Sequence, residues 1–135
     1  YRLPTEAQWE YACRAETTGD FAGSVDAMAW HDTNSGSETH DVKTSRPNAW
    51  GLYEMHGNVW EWCADWYGNY SDGMAKDPTG VPTGTLRVYR GGSWTSPSGY
   101  CRSASRGRNV PGFRNNYLGF RLAAVSAGAS GKATP

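Results

Sequence analysis

Hydrophobic positions along this chain follow no single period, and only the first fifteen residues carry a helical pattern. Thr5 followed by Gln8 is a capping box: the threonine hydroxyl takes a free amide of the first turn, and the glutamine side chain reaches back. Glu6 in that turn suits the positive end of the helix dipole. Trp9, Ala12 and Cys13 fall on one face, which is predicted to be the buried one. Residues 16–48 are dominated by Gly, Ser, Asn, Asp and Thr, and read as loop closed by the turn Arg46-Pro47-Asn48. Residues 49–67 hold Trp50, Tyr53, Trp60, Trp62, Trp66 and Tyr67. They predict a turn at Met55–Asn58 that feeds a short strand. Residues 68–84 read as loop, Leu86–Tyr89 as a strand ended by Gly91-Gly92, 93–117 as an ordered loop held by arginines, and Tyr117–Ala124 as a last strand. Ser126–Pro135 is small and polar and reads as a frayed tail, leaving one domain over 1–125.

Composition changes this picture in one respect. Seven Trp and eight Tyr in 135 residues supply large rings that can build a core where aliphatic residues are few. Seventeen glycines and the absence of long apolar periodicity exclude a helical bundle. Net charge is zero, so a nucleic-acid partner is not expected. No apolar run is long enough to span a membrane. Arg87, Arg90, Arg102, Arg106, Arg108, Arg114 and Arg121 nevertheless crowd one stretch, while Glu54, Glu61, Asp65, Asp72 and Asp77 precede it. The stretch either offers a basic surface to anions or, the preferred reading, uses its guanidiniums to satisfy loop carbonyls and carboxylates. Cys13, Cys63 and Cys101 allow one disulfide and a free thiol, or three thiols.

Four segments, in order, carry a resemblance: Tyr1–Ala12 (YRLPTEAQWEYA), Asn48–Trp66 (NAWGLYEMHGNVWEWCADW), Arg87–Trp94 (RVYRGGSW) and Leu118–Ala123 (LGFRLA). Together they resemble the formylglycine-generating-enzyme, or sulfatase-modifying-factor, family over nearly the whole chain, with 1–125 as the C-terminal portion of such a domain. The resemblance implies an α+β, loop-rich, C-type-lectin-like fold. It also implies a structural calcium site made by the Glu54 and Glu61 side chains and the Gly57 and Val59 carbonyls, an oxygen set suited to a hard cation. The alternative is that both glutamates pair with the later arginines. Oxidase members of the family hold copper(I) between two cysteines placed shortly after Gly-Gly-Ser, a soft-ligand arrangement. Here Ser96 falls where the first belongs and Cys101 where the second belongs, so copper oxidation is not expected. Cys101 then either pairs with Cys63 or packs as a small apolar residue. The three histidines form no metal set, and the sugar-binding motifs of true C-type lectins are absent.

Within 95–117 a framework (Cys101, Arg102, Ala104, Arg106, Pro111, Arg114) is interleaved with residues that an asparagine codon can reach by changing its adenines. That pattern is similar to the variable proteins of diversity-generating retroelements, and the loop is equally open to a fixed role. Tyr, Ser, Gly and Asn suit adaptable binding surfaces. The predicted contact residues for a protein or other macromolecular ligand are Thr95, Ser96, Ser98, Tyr100, Ser105, Arg108, Val110, Phe113, Asn115 and Tyr117. A diversified binder would sit on the cell surface or be secreted.

Overall fold

The computed structural model describes residues 1–124. Its one long helix, α1 (Glu6–Arg14), starts as the sequence dictates. The Gln8 amide donates to Thr5 Oγ1 at 3.2 Å and the Thr5 amide to Gln8 Oε1 at 3.0 Å. The helix stops where Ala15 turns left-handed. Trp9 and Cys13 are fully buried and pack with Met55, Cys63 and Val88 in a small core, against which Ala12 also rests.

The remaining elements are short: α2 (Val25–Met28), β1 (Ala29–Trp30), β2 (His56–Gly57), β3 (Trp60–Trp66), β4 (Arg87–Arg90), β5 (Arg106–Asn109) and β6 (Leu118–Gly119), with one 3₁₀ turn at Ser98–Cys101. The main sheet has the order β5-β4-β3-β6, antiparallel except where β6 runs parallel to β3. β1 and β2 form a separate parallel pair. A bridge between Arg2 and Ala123 ties the two ends of the described chain together.

β3 alternates burial, but its inward face carries Glu61, Cys63 and Asp65, all at 5% exposure or less. Burying two carboxylates requires partners. The Glu6 amide, at the start of α1, donates to Asp65 Oδ2 at 2.7 Å. Trp9 Nε1 donates to Glu61 Oε2 at 2.7 Å. Helix and sheet are therefore joined by hydrogen bonds as well as by apolar contact.

Several expectations are corrected. The 16–48 loop contains α2 and β1. The 93–117 loop contains β5, whose RGRN sequence has no apolar residue and which is held by pairing with β4. Gly107 of β5 lies flat beneath the Tyr89 ring, where a Cβ would overlap it. The strand expected at Leu86–Tyr89 runs Arg87–Arg90, because Arg90 pairs with Glu61 of β3 and Arg106 of β5. The strand expected over Tyr117–Ala124 contracts to two residues, because only Leu118 and Gly119 pair with β3 and Ala123 bridges Arg2 instead. All three cysteines are buried free thiols, so Cys63 and Cys101 are not bridged. The tail Ser126–Pro135 lies outside the described residues. Among the described residues no helix is long and apolar enough to cross a membrane.

Candidate functional site

The segment after β4 is an ordered scaffold with a presented rim. Gly91 and Gly92 both take positive φ, which glycine adopts without steric cost. Ser93 then turns inward: its amide donates to Ser96 Oγ at 3.2 Å, and its hydroxyl lies 3.0 Å from those of Thr95 and Ser96. Cross-bonds fix the segment to its neighbours. The Asp32 amide donates to the Ser96 carbonyl and the Trp94 amide to the Asn58 carbonyl, while Ser35 Oγ donates to the Trp94 carbonyl.

His56, fully buried, anchors the 3₁₀ turn. The Ala22 amide donates to its Nε2 at 3.1 Å, so that nitrogen is an acceptor and Nδ1–H donates to the Cys101 carbonyl at 2.7 Å. These partners assign the neutral tautomer. Burial first, and the nearby Arg14 charge, lower the His56 pKa, although the bond to Cys101 opposes them. A proton on Nε2 would break the bond to Ala22. The unfolded chain takes that proton near pH 6.5 and the folded chain does so only lower. His56 therefore contributes stability fully above that value, and the contribution falls as pH drops below it. Thermal melts between about pH 7.5 and pH 5 should show this loss, and His56→Gln should flatten it.

Eight of the ten predicted contact residues reach the surface. Thr95, Tyr100, Arg108, Val110 and Asn115 are exposed, and Ser98, Phe113 and Tyr117 are half-buried. Ser96 and Ser105 are corrected: both are buried, Ser96 against Ser93 and Ser105 donating to the Gly99 carbonyl at 3.1 Å. They hold the loop rather than present it. Tyr117 brings Phe113 with it, ring centroids 6.4 Å apart, and its carbonyl accepts from the Trp60 amide. Tyr89 sits edge-on to Trp60 and Trp62 at 5.0 and 5.4 Å. The outer sheet face thus adds half-buried Trp62 and Tyr89 to the rim. The place of Trp62 could have been read from the Trp60, Trp62 alternation, which puts both rings on one face of a strand, whereas Tyr89 joins through its pairing with Trp62.

Cys101 lies at 0% exposure with Ser93 beside it, and burial pushes its thiol up to about 12. Burial also pushes Cys13 up to about 11 and raises Cys63. Cys101 is the one thiol of the 95–117 segment, and at Ser96 a hydroxyl bonded to Ser93 stands where a second thiol would complete the soft-ligand pair suited to copper(I). The two glutamates implied for calcium have their carboxylate oxygens engaged by protein donors. Both Glu61 oxygens accept from Arg121, Nε at 2.6 Å and Nη2 at 2.7 Å, and Trp9 takes a further lone pair. Glu54 Oε2 accepts from the Lys43 amide and Oε1 from Ser45, while the Glu54 and Tyr53 carbonyls accept from Arg121. A guanidinium serves as the cation here, and among the described residues no group of three or more acidic, His or Cys side chains is arranged to hold a metal.

This is a C-type-lectin-like domain, helix and short curled sheet carrying long stitched loops. The sulfatase-modifying factor enzyme 1-like domain family matches residues 1–125, and the chain belongs to that family. It is 39% identical over 160 aligned residues to a formylglycine-generating enzyme of Streptomyces coelicolor, covering 98% of this chain and 49% of that protein. It is also 41% identical over 127 residues to the serine/threonine-protein kinase pkn1 of Chlamydia caviae, covering 90% of this chain and 21% of that one. The chain thus spans half or less of these relatives. Among solved structures, Treponema denticola variable protein 1 superposes with a TM-score of 0.84 at 43% identity, over 88% of this chain and 45% of that one. PvdO from Pseudomonas aeruginosa superposes with 0.79 at 31% identity, over 88% and 50%.

Proposed function

We propose that this chain is a non-catalytic binding member of its family. It presents the 95–117 rim and the adjoining Trp62–Tyr89 face to a protein or other macromolecular partner. The observation that carries the reading is Ser96: at the position where the oxidases place their first cysteine, a hydroxyl is buried against Ser93 and serves the loop. The likeness to a variable protein supports it, and with the interleaved codons of 95–117 it supports diversification by a retroelement. The mechanism is pre-organisation: a rim already tied to Asp32, Asn58 and His56 loses little entropy when a partner docks.

The test has two arms. Sequencing this gene across closely related cells should find variation at the interleaved codons of 95–117, with Gly91–Trp94 and Leu118–Arg121 constant. An invariant loop would remove diversification and leave a fixed binder. Titration with copper(I) should give no stoichiometric uptake and no oxidation of a cysteine-containing peptide. Uptake that Cys101→Ser abolishes would establish the oxidase instead.

A further inference from the structure

A cleft of about 490 Å³ opens between α1 and residues 66–82, away from the rim: none of the ten predicted contact residues lines it. That size is typical of sites that enclose a small organic molecule. Its walls are rings and aliphatics, among them Tyr11, Trp66, Tyr70, Pro78, Val81 and Pro82. Its floor is polar, and the partners of each floor group can be counted. The Glu6 carboxylate accepts from Arg106 at 2.6 and 2.8 Å and from the Tyr70 hydroxyl at 3.0 Å. Glu10 is shared by Arg14 and Arg90. Asp65 differs from both. It is only 3% exposed, its Oδ2 accepts the Glu6 amide, and among the described residues its Oδ1 receives no hydrogen bond and no cation lies in salt-bridge reach. Gly80 crosses close enough that a Cβ there would sit 3.0 Å from Oδ1, which brings the 78–82 wall directly over this atom.

Oδ1 is not sealed among protein atoms but opens into the cleft, so its donor comes from whatever occupies the cleft, and an apolar-bodied occupant that displaces water there must supply one. We propose that this cleft binds a small organic ammonium, its N–H donated to Asp65 Oδ1 and its apolar body covered by the Trp66, Tyr70 and proline walls. A cation is the fitting donor because the open atom is a carboxylate oxygen with no cation in reach; burial first, and the Glu6 charge, raise the Asp65 pKa, while the bond from the Glu6 amide, Arg106 and Arg87 oppose that only in part. Glu6 from α1, Arg87 from β4 and Arg106 from β5 are the charged groups facing Asp65. A bound ammonium offsets both destabilising causes and forms a charge-assisted bond. The site is independent of the rim, so neither reading falls with the other.

Phenethylamine is the probe. Titrated into the chain, it should shift the amide resonances of Gly68, Ser71 and Gly80 saturably. Phenethyl alcohol, neutral and of the same shape, should bind roughly tenfold more weakly or worse, since one charge-assisted bond is lost. Affinity for the amine should fall as pH drops and Asp65 takes a proton. Asp65→Asn should weaken the amine by a similar factor. Because Asp65 also accepts the first amide of α1, Ala7→Trp provides a second variant: it fills the cleft from the helix side and leaves Asp65 in place. Equal affinity for the alcohol, the absence of saturable shifts, or amine binding that survives both variants would overturn the proposal.

Discussion

Glu61→Leu should destabilise the fold by about 3–5 kcal/mol, the range for removing one member of a buried ion pair. With total stabilities of about 5–15 kcal/mol, that is enough to leave much of the chain unfolded. Glu61 is 5% exposed and accepts three side-chain hydrogen bonds, two from Arg121 and one from Trp9. Leucine would fill the volume, strip the Arg121 guanidinium of its carboxylate partner so that only the Tyr53 and Glu54 carbonyls remain to it, and leave a fully buried indole N–H without an acceptor. For Arg121, burial disfavours the charge, yet the hydrogen bonds and charge of Glu61 together outweigh it and raise its pKa. Arg121→Met should cost less, because that side chain is 29% exposed and water reaches the carboxylate once it is gone. The double variant should recover part of the loss, since the two residues act as one unit. Denaturant melts would measure all three. The same melts address calcium. A bound ion would stabilise by mass action, but with Arg121 on the carboxylate, chelator should leave the melting temperature unmoved. A drop on chelation that Glu61→Gln removes would mean that Arg121 yields its place to the metal.

This pair also explains which parts of the molecule could be read from the sequence. The capping box at Thr5 and Gln8 was legible because its partners lie three residues apart. The end of β4 at Gly91-Gly92 was legible because glycine is its own signal. The period of β3 was not, because three of its inward residues include two carboxylates, whose acceptability depends on donors 50 to 60 positions away. β5 was invisible for a related reason. Arg-Gly-Arg-Asn has neither alternation nor apolar content, and pairing along β4, with the Tyr89 ring over Gly107, makes it a strand. Along 95–117 the sequence singled out Ser96 in place of a cysteine but not the direction of each hydroxyl. Ser96 and Ser105 turn inward while Ser98 reaches the surface, a difference set by Ser93 and Gly99 rather than by residue type. The acidic residues Glu54 and Glu61 around a tight turn were visible in the sequence, but Arg121, which answers the charge of Glu61, is remote in sequence. The Asp65 cleft had no signature at all, since its walls come from three separated segments.

Gly92→Ala should be the most damaging single-methyl change near the rim. Gly92 has φ +75°, and a Cβ there would lie 2.5 Å from Cys101 Sγ, 2.9 Å from Cys101 Cα and 3.1 Å from its amide nitrogen. The left-handed backbone alone costs an alanine about 1–2 kcal/mol, and forced overlap in a packed site adds about 1–3 kcal/mol. The second contribution is the informative one, because two of the three atoms are backbone and cannot rotate away. Relief requires the Ser98–Cys101 turn to move outward, which lengthens the bond from His56 Nδ1 to the Cys101 carbonyl and displaces exposed Tyr100. Stability and presentation should therefore fail together: a lower melting temperature, and loss of the pH dependence that His56 confers, since its anchor has moved. Cys101→Ala in the same chain removes only the Sγ overlap, so it should restore part of the melting temperature while the backbone contacts persist. If Gly92→Ala melted like the parent and kept the His56 pH response, the turn would have room to give, and the rim would be softer than its hydrogen bonds to Asp32, Asn58 and His56 require.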